Sequence, residues 1–94
     1  MKKELLTIYD TQKSFYKKAF EISNYNDGVT TIELLSYSTI VAKIEYNGAQ
    51  TIYTYNGYYS RTTARHQKEF FLQHGLTNEQ YLRLKKQGQL IINE

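Results

Sequence analysis

Residues 58–74 read YYSRTTARHQKEFFLQH, placing two arginines and a histidine ahead of the segment's first acid, Glu69. A helix start attracts carboxylates and repels cations, because its free N–H groups carry partial positive charge. Arg61, Arg65 and Lys68 fall at i, i+4 and i+7, a basic stripe opposite Phe70 and Phe71. Ser60 is the expected N-cap, its hydroxyl accepting a free backbone N–H. Exposed N–H groups beside arginines suit phosphate or carboxylate. The alternative is a solvated charged face opposite a buried one, as most amphipathic helices have.

Two other chemistries are weaker. His66 borders the buried face, and His74 follows eight residues later, about 12 Å along a helix axis and too far to share a metal. Both histidines are therefore expected to hydrogen-bond at a helix–sheet border. No carboxylates pair at helical spacing and no serine sits in a nucleophile elbow, so no enzyme and no cofactor is expected. Tyr53 and Tyr55 share one strand face, with Tyr58 and Tyr59 just beyond. Such rings can stack unpaired bases at about 1–3 kcal/mol each. The same rings can equally pack beneath helices, and tyrosine is favoured in strands in any case.

The elements that must position these residues are marked by turns. Asn26-Asp27-Gly28, Asn47-Gly48 and Asn56-Gly57 tolerate positive φ, as tight hairpins require. Between them run period-two segments. In TIVAKIEY, Ile40, Ala42, Ile44 and Tyr46 point one way and Val41, Lys43 and Glu45 the other. In TTIELLSY, Ile32 and Leu34 share a face with Thr30, while Thr51, Tyr53 and Tyr55 alternate with Ile52 and Thr54. With AFEISNY these form an antiparallel meander of four or five strands. ELLTIYD and QLIINE are candidate further strands, and DTQKSFYKKA is a short helix or an ordered turn. Thr63, Gln67, Phe70, Phe71 and His74 then cluster on one side of a helix over Ser60–His74, stopped by Gly75. A second helix starts at Thr77, three residues before Gln80, and ends at Gly88. The fold class is α+β, with the first helix on one sheet face. Ile32, Leu34, Ile40, Ile44, Phe70 and Phe71 should share one core.

Composition sets the limits. Ninety-four residues, 40% apolar and 22% charged, suit a single domain over 1–94 with a modest core. Ten tyrosines give apolar bodies with polar tips. A net charge of +3 permits anionic partners without demanding them. The absence of cysteine excludes disulfides, thiol nucleophiles and cysteine metal sites. The apolar run after MKK is too short for a signal core, and no run of 18 apolar residues occurs, so a cytoplasmic protein with no membrane partner is expected.

LLSYSTIVAKI and YNGYYSRTTARHQKEFF, with KSFYKKAFEI upstream, resemble a family of small uncharacterised proteins of phages, plasmids and Gram-positive bacteria. The matching positions are Ser36, Tyr37, Thr39, Val41 and Ala42, then Tyr59, Ser60, Thr62, Thr63, Arg65, His66, Glu69 and Phe70. The resemblance spans residues from about 13 to 75, implies a mobile-element origin and supplies no activity. The expected function is a non-enzymatic binding protein that occludes a host machine, such as a CRISPR effector, through Ser60, Arg61, Arg65, Lys68 and the tyrosines. The alternative is a single-stranded DNA or RNA binder. A protein of the bacterial host is the expected partner, and unguarded strand edges point to a homodimer.

Overall fold

The computed structural model describes residues 1–93, and Glu94, the end of QLIINE, lies outside them. Along the chain come β1 (Lys2–Glu4), β2 (Ala19–Asn26), β3 (Val29–Ser36), β4 (Thr39–Tyr46), β5 (Gln50–Tyr55), α1 (Arg61–Gln73), α2 (Asn78–Gln87) and β6 (Gln89–Asn93). The strands form one six-stranded sheet in sequence order, every pair antiparallel. The two outer strands carry the count past the four or five expected.

Local chemistry explains the turns. Asp27 and Gly28 both take positive φ, 52° and 80°, and close β2–β3 in the two-residue hairpin geometry that matches strand twist. Between β4 and β5 the Asn47 carboxamide oxygen accepts the Gln50 N–H at 2.9 Å. The β3–β4 turn is less conventional, because Tyr37 holds φ at 57° without being Gly or Asn. Its N–H donates to the Lys18 carbonyl at 2.8 Å, which fixes it against the incoming N-terminal segment. The Asn56-Gly57 pair makes no hairpin. Gly57 has positive φ, yet it leads β5 into α1, and the Asn56 amide donates back to the Ile40 carbonyl.

One face of the sheet carries both helices: α1 lies over β3 and β4, α2 over β5 and β6. Beneath them are Ala19, Leu34, Val41, Ala42, Ile44, Tyr53 and Leu90, packed with Phe70, Phe71, Leu76, Tyr81 and Leu84. Four of the six residues expected in the core are fully buried; Ile32 is partly buried and packs against it. Ile40 does not join them. Leu34 pairs with Ala42 and Leu35 with Ile40, so Val41 is an extra residue in a β-bulge. A bulge reverses the alternation beyond it. Val41 therefore turns inward beside Ala42, and Ile40 moves to the uncovered face.

The ends supply what the meander lacks. ELLTIYD is a strand only as far as Glu4, after which residues 5–18 leave the sheet and cross α1 without forming a helix. Leu5 and Phe15 anchor this excursion in the core. It returns through a turn at Tyr16 and Lys17, both at positive φ, in which the Lys18 N–H donates to the Phe15 carbonyl at 3.0 Å.

Candidate functional site

α1 starts as expected. Ser60 is extended and its hydroxyl accepts the Thr63 N–H at 3.1 Å, with no acid in the first turn. The polar residues that follow, however, are mostly spent inside. The Thr63 hydroxyl lies 2.9 Å from the Ser36 hydroxyl, which in turn lies 2.8 Å from His66 Nδ1. Gln67 donates from Nε2 to the Val41 carbonyl at 2.9 Å and to the Gly57 carbonyl at 3.0 Å. That amide ties the bulge to the linker leading into α1. His74 Nε2 meets Glu21 of β2 at 2.5 Å. Both histidines thus bond at the helix–sheet border, as expected.

The Ser36–His66 contact has the distance of a nucleophile and its base, but both residues are sealed, at 2% and 1% exposure. Phe15 packs its ring 4.5 Å from the imidazole and Tyr37 lies 5.9 Å away. Burial lowers the His66 pKa, and the Asp10 carboxylate opposes that shift. Sealed from solvent, the trio braces α1 on β3 through buried hydrogen bonds. Among the described residues, no three of His, Asp or Glu gather to hold a metal.

Glu69 carries the largest departure from expectation. It is buried, and its carboxylate accepts three consecutive backbone N–H groups from the N-terminal excursion: Ile8 at 3.0 Å, Tyr9 at 3.0 Å and Asp10 at 2.7 Å. Gln73 donates to the same carboxylate. Asp10 then pairs through its own carboxylate with Arg65 Nε at 3.2 Å, and Thr11 accepts from Arg65 Nη2. Arg65 is therefore answered from within the chain, by an acid more than fifty residues upstream. Glu33 and Glu45, which stand nearer in sequence, take no part in this pair.

Between this loop and the two helices lies a groove of about 680 Å³. Ala64, Leu72 and Leu82 give it an apolar lining, and Tyr9 and Tyr81 add rings. Arg61, Arg65, Lys68 and Lys85 supply cations. Of these, only Arg65 is paired to a carboxylate among the described residues. Lys85 sits 5.4 Å over the Tyr81 ring, whose hydroxyl is pushed above its ordinary pKa by burial and then by Tyr55. Tyr9, Leu82 and Lys85 were not legible as site residues. The available signal was Leu82, an apolar residue of α2 standing off the buried face formed by Tyr81 and Leu84.

The tyrosines do not make one platform. Tyr53 is 6% exposed beneath α1, its ring 6.3 Å from that of Phe71 and its hydroxyl donating to the His74 carbonyl. Tyr55 is half-buried on the same covered face. Neither presents a ring to bases, because the helices cover the face that carries them. Tyr58 and Tyr59 remain outside, 69% and 48% exposed, just ahead of Ser60 and Arg61. No helix among the described residues is long and apolar enough to cross a membrane.

No curated protein and no solved structure matches this chain. Residues 3–87 match the model of a family of unknown function, DUF8033, and the chain belongs to that family. The match takes in α2, which lies beyond the motifs of α1 and β3–β4.

Proposed function

We propose that this member of DUF8033 is a non-enzymatic binding protein. In this reading it takes an acidic surface of a bacterial host protein into the groove between α1, α2 and residues 9–11. It would serve a phage or related mobile element by occluding a host machine such as a CRISPR effector. One observation carries the groove: Arg61, Lys68 and Lys85 border an apolar lining with no carboxylate paired to them, while the nearby acids Asp10 and Glu69 are already engaged. Apolar lining with a charged rim is the anatomy of a protein contact. The mobile-element setting rests on the resemblance of the strand and helix motifs.

A single-stranded nucleic acid is the second reading, favoured by the exposure of Tyr58 and Tyr59 beside Arg61. Stacking on those two rings, with phosphates at the helix start, would need neither Tyr53 nor Tyr55.

Salt and nuclease separate the two. Affinity capture from host lysate should return the same protein with and without nuclease, and Lys68→Glu with Lys85→Glu should abolish its capture. Binding to labelled single strands that falls steeply with salt would instead establish the nucleic-acid reading. Capture unaffected by both charge reversals would remove the groove.

A further inference from the structure

The sheet has two outer edges, and they are defended differently. β1 is three residues long and carries Lys2 and Lys3. Short length and lysines are common guards against edge pairing. β6 is five residues, Gln-Leu-Ile-Ile-Asn, without charge or proline, and no strand lies beyond it among the described residues. Ile91 points outward and is 47% exposed.

The ladder determines which backbone groups β6 leaves open. The Tyr55 N–H donates to the Gly88 carbonyl at 2.9 Å. Residues of an antiparallel strand alternate between facing one neighbour and the other. Leu90 and Ile92 therefore direct their backbone groups to β5, as the Gly88 carbonyl does, while the Gly88 N–H closes α2 on the Leu84 carbonyl at 2.7 Å. Gln89, Ile91 and Asn93 direct theirs to the open edge, evenly spaced about Ile91.

We infer that β6 is the seam of a homodimer, in which two copies pair antiparallel about a two-fold axis at Ile91. Ile91 then exchanges both N–H and C=O bonds with its own counterpart, and Gln89 exchanges both with Asn93 of the second copy. The side chains agree with this register. On the uncovered face Ile52 already stands opposite Ile91, so the seam continues an isoleucine row from one copy into the other. On the covered face Leu90, beside Tyr53, meets Ile92, beside Thr51. No charged residue of β6 faces its like across the seam. The contact uses the same patch twice and closes on itself, whereas β6-to-β1 pairing would run on without end and meets Lys2 and Lys3.

The chain has no cysteine, so single cysteines report the register directly. Light scattering should show a dimer in the micromolar to millimolar range, and Ile91→Lys should give a folded monomer by circular dichroism. Under mild oxidation Ile91→Cys should cross-link to a covalent dimer at least about tenfold faster than Gln89→Cys or Asn93→Cys alone, and a mixture of the latter two should cross-link to each other. If Ile91→Lys fails to fold, the cysteine set decides. A wild-type monomer throughout that range overturns the inference, as it would if β6 accepts a strand from another protein. So does a folded Ile91→Lys dimer, or equal cross-linking at all three positions.

Discussion

The Asp10 N–H donates to the Glu69 carboxylate at 2.7 Å, although 59 residues separate the two in the chain. Asp10's own carboxylate turns the other way, to Arg65 one turn earlier on α1. The helix thus grips the N-terminal excursion by its backbone and by a side chain at a single residue. Tyr9, Asp10 and Thr11, which wall the groove, are held in place by the same grip.

Glu69→Gln tests that grip. The substitution keeps the shape but replaces an acceptor-only carboxylate with a group that must present an NH₂ toward backbone donors. Leaving buried donors unsatisfied costs about 2–3 kcal/mol. Urea melts should show that loss, and trypsin should cleave faster after Lys13. Unchanged melts would mean the loop is held by other contacts.

Phe70 and Phe71 are fully buried, their rings edge to face at 5.3 Å. Either change to alanine should cost about 3–5 kcal/mol, much of the stability of a domain this small. Ile40→Ala, at a position the bulge has turned outward, should cost markedly less. A larger loss at Ile40 than at Phe70 would contradict the assigned faces.

The contrast between these residues shows what the sequence makes legible. Period-two and 3.6-residue patterns are local, so the four central strands, both helices, and the caps at Ser60, Thr77 and Gly88 could be read directly. The bulge at Val41 could not, because two adjacent apolar residues do not announce which one is extra. Nor could the partners of Glu69 and Arg65. An acid among cations looks solvated until a loop some sixty residues away delivers its N–H groups. The stripe at Arg61 and Lys68 was legible as exposed charge, but the groove that gives it a shape needs α2 and residues 9–11.

The buried His66 predicts a pH dependence. Burial lowers its pKa below the ordinary 6.5, while in the unfolded chain it titrates near that value. The unfolded state then binds more protons as pH falls, so this contribution is present above 6.5 and is lost as pH drops below it toward the folded value. Wild-type stability should decline between about pH 7.5 and about pH 5.5, before most carboxylates protonate. His66→Gln should be less stable overall and show a flatter slope in that window. Equal slopes in the two proteins would assign the titration to another group.

The cations of the groove divide into two kinds. Arg65 is engaged by Asp10, and its side chain is 40% exposed, so the pair contributes at most about 1 kcal/mol. Arg65→Ala should therefore lower stability slightly, which corrects the expectation that both helix-start arginines await an external anion. Arg61, Lys68 and Lys85 lack such an acid among the described residues, and Arg61 stands where the helix field opposes a cation. Their joint replacement by alanine should change the stability of the free protein by less than about 0.5 kcal/mol, as surface changes usually do. If an acidic partner surface completes the groove, the same triple variant should bind it about 30-fold more weakly, roughly 2 kcal/mol. Thermal melts and calorimetric titration with the captured partner measure the two quantities separately. Lost stability with retained affinity would show that these three cations serve the fold, and the groove would then have no claim to the partner.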